Sequence, residues 1–284
     1  MELYQIREKK QGIFFDKDTI INADMETNFS FKNCKFGQDI LVEEGVFFNV
    51  LNGHIGDRTI IRAGARIEGT RVELGTESYL DRNSWIGGGS CFDSCAYLKA
   101  GDWLHCGWSS QINIARGVDI GHEVAVGIDS KVFTHGAYPP ADHGFPVKWG
   151  GVKLGNRVWL PNAWVNPGVT VGDNVVVASM SLVNDDLPAG CFAGGVPARV
   201  LVEGKYSNPE IKQVRIGWFD GEFRIFRPDE IIEVTDSGNS TFFNLKQRTI
   251  TGPASKATEM VKNQFRRNGI RFRFYAKDGE YVPW

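Results

Sequence analysis

The sequence has no excess of charge of either sign and no long apolar run. Its 284 residues hold 32 basic and 34 acidic side chains, for a formal net charge of -2. This balance gives no reason to expect a nucleic-acid partner, because such proteins concentrate positive charge to meet phosphates. No apolar run approaches the roughly 18 residues that cross a bilayer, and none follows the charged first residues. We therefore expect a cytoplasmic protein without a membrane span.

Cysteine also offers no framework, whereas glycine is abundant. The cysteines are odd in number and lack a CxxC pair, which argues against a disulfide framework or a zinc knuckle; they are Cys34, Cys91, Cys95, Cys106 and Cys191. We expect reduced thiols that act as small apolar fillers. Glycine accounts for 33 of the 284 residues, about 12% where roughly 7% is usual. This excess points to internal repeats.

Apolar residues recur at every sixth position along much of the chain. A helix would need a period near 3.6 and a half-buried strand a period of two, so neither explains this spacing. Glycine often follows these apolar anchors, as at Gly56 and Gly75, where a chain that turns every six residues needs a permissive backbone. The anchors are Phe36, Val42, Phe48, Ile55, Ile61, Ile67, Leu74, Leu80, Ile86, Phe92, Leu98, Leu104, Ile114, Ile120, Val126, Val132, Leu154, Leu160, Val165, Val171, Val177 and Val183.

This period predicts an all-β solenoid of hexapeptide repeats. With every anchor pointing inward, three six-residue faces close a triangular prism, so that one coil takes about 18 residues and residues 36–183 make roughly seven coils. Stacked coils bury a continuous core that no single repeat could bury alone. An irregular glycine-rich β-sandwich would instead show period-two alternation with turns every 8–12 residues. The repeated six-residue step favours the solenoid.

The phase of the hexads divides the chain into three segments. Residues 1–35 lack a firm phase and are predicted to cap one end of the solenoid, as solenoids require. Residues 36–204 are predicted to form the solenoid itself, with the loop 136–153 inserted. Residues 205–284 change in composition and are predicted to form a small C-terminal α+β appendage that either shapes the acceptor site or covers the end of the coil.

The appendage has its own local signals. Two strand-like runs flank Asp220-Gly221, a hairpin signal. Gly252-Pro253 is predicted to open a helix that ends near Gly269, with an apolar stripe that steps by three or four residues; the stripe is Ala254, Ala257, Val261 and Phe265. This pattern is not a continuation of the hexads.

The series of motifs in residues 114–201 resembles the hexapeptide-repeat acyltransferases. It contains an IG..V.IG run that ends in TH, the restart VKLGNRVWL, the segment NPGVTVGDN and the closing GGVPARVL, much as the galactoside and maltose acetyltransferases read. The resemblance implies a left-handed parallel β-helix that assembles as a homotrimer. It also implies transfer of acetyl from acetyl-CoA, held between neighbouring prisms, to a hydroxyl or amine of a sugar or sugar nucleotide used in surface glycans.

His135 is the candidate catalytic residue. It lies just after Val132, where the hexads stop and a long loop begins, and loops on a rigid scaffold often carry function. Acyl transfer from a thioester needs a base with a pKa near 7, which histidine supplies. The resemblance aligns His135 with the family's catalytic histidine and implies direct attack in a ternary complex. His143, at the loop tip, is expected to be solvated, and a structural loop role for His135 is the alternative.

The other candidates come from the resemblance and from residue type. For coenzyme A they are Trp159, Ala178, Ser179 and Arg199, of which Arg199 could face the coenzyme phosphates. For the acceptor they are Asp93, Asn113 and Tyr138, which could contact sugar hydroxyls or, with Trp149, stack on sugar rings. Packing or trimer-interface roles are the alternatives for these side chains.

Two other functions remain open from the sequence. The β-helical carbonic anhydrases share the fold and bind zinc, but their pair of histidines five residues apart has no counterpart here, and we expect no metal. A non-catalytic scaffold is the second alternative, although a scaffold has no need of the histidine, loop and VW series. A serine or cysteine nucleophile is disfavoured because no Gly-x-Ser-x-Gly elbow is present.

Overall fold

The structure is a computed structural model that describes residues 13–15, 20–21, 34–207, 214–217, 223–227 and 229–284. The chain divides into two compact units, Met1–Asn208 and Pro209–Trp284. Most of the predicted N-terminal cap lies outside the described residues, as does the predicted turn at Asp220-Gly221.

The first unit consists of short strands joined by turns. Within the described residues its strands are β1 (Ile13–Phe15), β2 (Ile20–Ile21), β3 (Cys34–Phe36), β4 (Ile40–Val42), β5 (Phe47–Ile55), β6 (Ile60–Ile61), β7 (Arg66–Leu74), β8 (Tyr79–Leu80), β9 (Trp85–Gly87), β10 (Leu98–Ala100), β11 (His105–Cys106), β12 (Gln111–Asn113), β13 (Val118–Ile120), β14 (Ala125–Val126), β15 (Lys131–Val132), β16 (His135–Gly136), β17 (Lys148–Trp149), β18 (Val152–Leu154), β19 (Trp159–Leu160), β20 (Ala163–Val165), β21 (Thr170–Val171), β22 (Val176–Val177), β23 (Ser181–Val183), β24 (Phe192–Gly195) and β25 (Ala198–Val202).

Strands from successive coils pair in parallel. Among the described residues, one sheet has the order β1-β4-β6-β8-β11-β14-β19-β22-β24-β25, in which only the last pair is antiparallel. The second sheet curls around a corner, because the long strand β7 pairs with β9 at its start and with β10 at its end. The prediction of an all-β fold built from stacked parallel strands is confirmed.

Two of the coils that follow Ile40 are longer than their neighbours. Leu41 pairs with Ile60, and Ile60 pairs with Tyr79, so these two successive coils contain the same number of residues. The next coil is longer and places Tyr79 beside His105, and a later one, longer still, places Ala125 beside Trp159. The additional residues form two excursions from the coil, at 88–96 and at 133–151, and the candidate site lies where they meet.

The predicted anchors fill the core, with two exceptions. Each is buried except Phe36, which is partly buried, and Phe92, which is 45% exposed. The prediction for Phe92 is wrong because Gly88 and Ser90 adopt positive φ and turn the chain outward just before it. Cys91, at 4% exposure, enters the core instead.

One corner of the coil carries a ladder of polar side chains. Each side chain accepts a hydrogen bond of 2.7 to 3.0 Å from a backbone N–H in the equivalent turn of the preceding described coil. The bond satisfies a donor that the strands leave unpaired. The acceptors are Asp57, Asp102, His122, Asn156 and Asp173. At the same corner a Cβ added to Gly75 would lie 2.4 Å from the carbonyl carbon of Gly101, so only glycine fits there.

The second unit has its own small core. Within its described part the elements are β26 (Val214–Gly217), β27 (Phe223–Phe226), β28 (Ile231–Asp236), β29 (Asn239–Asn244), β30 (Thr249–Thr251), α1 (Lys256–Arg267), β31 (Phe274–Lys277) and β32 (Glu280–Pro283). Phe243 and Phe265 are both fully buried at its centre, and their ring centroids lie 5.6 Å apart. The helix begins later than predicted because Ser255 caps it, so that Ala254 precedes the helix. In the described segments no helix is long and apolar enough to span a membrane.

Candidate active site

The 133–151 excursion begins and ends as a short antiparallel hairpin. His135 in β16 lies opposite Trp149 in β17, and the N–H of Gly150 donates to the carbonyl oxygen of Thr134 at 3.0 Å. These bonds tie the two ends of the loop to each other, while its tip extends into solvent, with Tyr138 99% exposed. The hairpin therefore holds His135 at the base of the loop, against the rigid part of the fold.

Asn113 orients the ring of His135. The Asn113 side chain is buried at the end of β12, and its Oδ1 lies 3.1 Å from Nδ1 of His135. The same Oδ1 accepts from the hydroxyl of Thr134, and the Nδ2 of Asn113 donates to the carbonyl oxygen of Gly89 at 3.1 Å. Since this last bond fixes the amide orientation, Nδ1 of His135 is the nitrogen that carries the proton. Nε2 is then free to accept one.

Nε2 of His135 lies beside a turn made of glycine. A Cβ added to Gly89 would lie 3.5 Å from Nε2 and 3.6 Å from Cε1 of His135. Outside residues 88–90, no other atom of the described structure lies within 4 Å of this added Cβ. The glycine turn 87–89, at the start of the 88–96 excursion, therefore leaves space beside the nitrogen that can accept a proton.

A stack of side chains covers one face of His135. The Trp149 ring lies 4.6 Å from the His135 ring at an interplanar angle of 13°. The guanidinium of Arg116 lies 4.0 Å from the centroid of the same indole. Arg116 is held in turn by Asp93 at 2.9 Å and by the carbonyl oxygen of Ala115 at 2.7 Å. The stack thus joins the 88–96 excursion, the coil corner and the loop hairpin.

The surroundings of His135 favour its neutral form. Burial is the main cause that lowers the pKa of His135 below its ordinary value of 6.5, and the positive charge of Arg116 lowers it further. The negative charge of Asp93 acts in the opposite direction. Near neutral pH the side chain is therefore an unprotonated imidazole with Nε2 available, as a general base requires.

The structure brings together three of the residues predicted from sequence, Asp93, Asn113 and His135. Asp93 forms an ion pair with Arg116, and Asn113 forms a hydrogen bond with His135. The sequence pointed to neither Arg116 nor Gly89, since nothing in their spacing distinguishes them from ordinary turn residues. Thr134 stood in the TH motif but was not assigned a role. Trp149, for which the sequence left sugar stacking and packing both open, stacks on the ring of His135.

The predicted coenzyme residues lie on later coils. Trp159 is half-exposed in β19, between Ala125 and Val176 of the neighbouring strands. The N–H of Ala178 donates to a carbonyl of the next coil, and Ser179 is exposed. Arg199 is exposed and pairs with Asp185 at 2.8 Å. A groove of about 710 Å³ crosses β10, β13, β18 and β21, and the residues that line it include none of these four.

Burial deactivates four of the five thiols in the described ranges, and the metal-ligating side chains there form no second centre. Burial raises the pKa of Cys91 to about 11 and that of Cys106 to about 12, and it also raises those of Cys34 and Cys191. These thiols are therefore poor nucleophiles at neutral pH. Across the described ranges, no group of three or more His, Cys, Asp or Glu side chains is placed to hold a metal ion.

Comparison with known proteins confirms the resemblance to sugar acetyltransferases, although no protein-family profile matches the chain. The galactoside O-acetyltransferase of Escherichia coli is 45% identical over 53 residues, which cover 18% of this chain and 26% of that protein. A putative colanic acid biosynthesis acetyltransferase of E. coli is 31% identical over 107 residues, covering 37% and 58%. The chain thus spans between 26% and 58% of the length of these relatives.

A similar solved structure is a hexapeptide-repeat-containing acetyltransferase from Vibrio cholerae. It is 25% identical, with a TM-score of 0.40, and the alignment covers 46% of this chain and 73% of that one.

Proposed function

We propose that this chain is a CoA-dependent acetyltransferase that acetylates a hydroxyl or amine of a sugar or sugar nucleotide. The observation that carries the proposal is the pair of Asn113 and His135, with Nε2 of His135 open to the glycine turn. The names of the matching relatives support the reaction class. The buried thiols and the spacing of the histidines favour direct transfer over a covalent enzyme intermediate or a zinc-bound hydroxide.

In the proposed mechanism His135 removes the proton from the acceptor. As Nε2 takes the proton, the acceptor oxygen or nitrogen attacks the thioester carbonyl of acetyl-CoA, and the tetrahedral intermediate then breaks its C–S bond. The imidazolium returns the proton to the departing thiolate, so that free coenzyme A and the acetylated acceptor leave. Asn113 assists both steps because its Oδ1 accepts from Nδ1 and stabilises the charged ring.

The same proposal extends to the assembly. The stacked strands close into a left-handed parallel β-helix over residues 36–204, three copies form a homotrimer in the cytoplasm, and residues 205–284 are an appendage. The donor lies along the coils after the loop, near Trp159, Ala178, Ser179 and Arg199. Exposure of Trp159 and Ser179 supports this placement. A fully active monomer in sedimentation would overturn the model of a shared groove.

For the acceptor, the proposal differs from the sequence-based expectation in the roles of Asn113 and Asp93. Asn113 is occupied by contacts within the protein and is proposed to orient His135, whereas Tyr138 extends from the loop and is free to meet a sugar ring. Asp93 is proposed to act through Arg116, with its exposed carboxylate edge available to a sugar hydroxyl.

The decisive experiment incubates the purified protein with acetyl-CoA and a panel of sugars and sugar nucleotides. Release of coenzyme A is followed with a thiol reagent, and the acetylated product is identified by mass spectrometry, with His135→Gln as the matched control. We expect an acetylated acceptor with the parent protein and almost none with the variant. Equal product formation by both proteins would overturn the assignment. Zinc-dependent hydration of carbon dioxide, or an absence of transfer to every acceptor, would overturn the reaction class.

A further inference from the structure

We propose that Trp149 is a positioning residue that holds the ring of His135 in its working orientation, an inference that rests on the proposed function. Its indole lies nearly parallel to the imidazole, 4.6 Å away at 13°. The two residues are paired across β16 and β17, so the hairpin sets their separation. In this proposal Trp149 orients the catalytic base and neither binds the acceptor nor simply covers the loop surface.

The ring of His135 needs this support because one hydrogen bond does not fix a plane. The torsion about the bond between Cβ and the ring has broad wells, so a ring held only at Nδ1 can tilt around the contact with Asn113. Such a tilt would move Nε2 away from the space beside Gly89. A flat aromatic surface against the imidazole face removes that freedom, and misplacement of a catalytic group by about 1 Å is costly.

The indole is itself held from two other segments. The guanidinium of Arg116 lies 4.0 Å from its centroid, an arrangement typical of a cation–π contact. Arg116 is fixed by Asp93 at 2.9 Å and contacts the sulfur of Cys95 at 3.3 Å, both in the 88–96 excursion. The backbone N–H of Arg116 also donates to the hydroxyl of Thr134. Asp93 and Cys95 therefore support His135 through Arg116 and Trp149.

The first arm of the test compares kinetics. Trp149→Leu removes the flat surface, and Trp149→Phe keeps an aromatic ring in its place; the matched controls are Trp164→Leu and Trp164→Phe, at a half-exposed tryptophan whose ring meets Phe133. We expect Trp149→Leu to lower kcat by roughly tenfold to a hundredfold with the KM for acetyl-CoA nearly unchanged. Trp149→Phe should retain most of the parent kcat, and both Trp164 variants should have the kcat of the parent protein.

Three results of this arm would overturn the proposal. The first is a normal kcat in Trp149→Leu. The second is a loss in Trp149→Phe as large as that in Trp149→Leu. The third is a rise in the acceptor KM alone, which would make Trp149 an acceptor contact.

The second arm does not depend on activity. The Cε1–H resonance of His135 is followed by NMR through a pH titration and assigned by its absence in His135→Gln. Stacking on the indole should shift this resonance upfield in the parent protein, and Trp149→Leu should abolish the shift. An unshifted parent resonance would contradict the stack itself. If the protein transfers no acetyl group but the upfield shift is present, the proposed function fails while the geometry of the stack stands.

The ionisable groups of the stack provide a further control in the same titration. Of the groups packed around His135, Arg116 and Asp93 carry charge, whereas Asn113, Thr134 and Trp149 do not. Arg116→Gln should raise the pKa of His135, and Asp93→Asn should lower it, since the two charges act in opposite directions. Unchanged pKa values in both variants would show that Arg116 and Asp93 are remote from the ring and would overturn their part in the support.

Discussion

The regular coils and the two excursions use the same chain in different ways. In the regular coils each position has one role that returns in the next coil, such as an inward aliphatic side chain or a polar corner acceptor. In the excursions Asp93, His135 and Trp149 each occur once, from segments far apart in sequence, and Arg116 links them from a corner of the coil. The repeat therefore supplies a rigid support, and the candidate catalytic side chains gather where the repeat is interrupted.

The largest expected effect lies in the loop excursion. His135→Ala should lower kcat by about a hundredfold to ten-thousandfold, the usual contribution of general-base assistance. Binding of coenzyme A, measured by calorimetry, should be almost unaltered because the proposed donor residues lie on later coils. His143→Ala is the control, since His143 lies at the exposed loop tip and should cost far less. Equal losses in the two variants would falsify the assignment.

The difference between the two regions also explains what the sequence could predict. The aliphatic anchors were predictable because burial imposes the same requirement on every coil, and His135 could be named as a candidate because it stands where that pattern stops. Phe92 kept the six-residue step and was still misplaced, since the positive φ of Gly88 and Ser90 is a property of the turn and not of the spacing. The contact of Trp149 with His135 depends on pairing across a hairpin whose register no periodicity records.

The next prediction compares two anchors that the sequence treats alike. Leu80→Ala, at a fully buried position in a regular coil, should lower the free energy of unfolding by about 2–5 kcal/mol, as large-to-small core substitutions do. Phe92→Ala, at 45% exposure in the 88–96 excursion, should change it by less than about 1 kcal/mol. Chemical denaturation of both variants measures the difference. Similar losses at the two positions would place Phe92 in the core and erase the distinction between coil and excursion.

A smaller effect is expected from filling the space beside Nε2 of His135. Gly89→Ala adds a methyl group at ordinary contact distance from the ring, so the fold should tolerate it. The methyl group would occupy the space beside Nε2 through which the acceptor is proposed to approach. We expect kcat/KM for the acceptor to fall by roughly tenfold or more, with coenzyme A affinity preserved. Gly136→Ala, where an added Cβ meets nothing within 4 Å, should behave like the parent protein. An active Gly89→Ala variant would mean that the acceptor approaches from elsewhere.

The pH profile should show a modest displacement. A histidine can act as a base only when neutral, so with His135 as the proposed base kcat/KM should fall as the pH drops through the pKa of this residue in the free protein. Because burial and Arg116 hold that pKa below 6.5, the acidic limb should lie below pH 6.5. A limb above that value would show that Asp93 outweighs Arg116 at the ring, contrary to the lowered pKa.

The smallest effect is expected from removing the second unit. Its buried residues, from Phe226 to Phe272, form a cluster of their own, and those of the coils form another, from Ile40 to Ala198. Because each coil of a solenoid is stabilised chiefly by its neighbours, deletion of residues 209–284 should leave a cooperative thermal transition at nearly the parent temperature, measured by circular dichroism. Acetyl transfer by the shortened protein then distinguishes the two roles expected for this unit, covering the end of the coil or shaping the acceptor site. Retained activity would make the unit a cover, and lost acceptor binding with an intact transition would assign it to the acceptor site. Loss of the transition itself would show that the coils do not suffice as a folding unit.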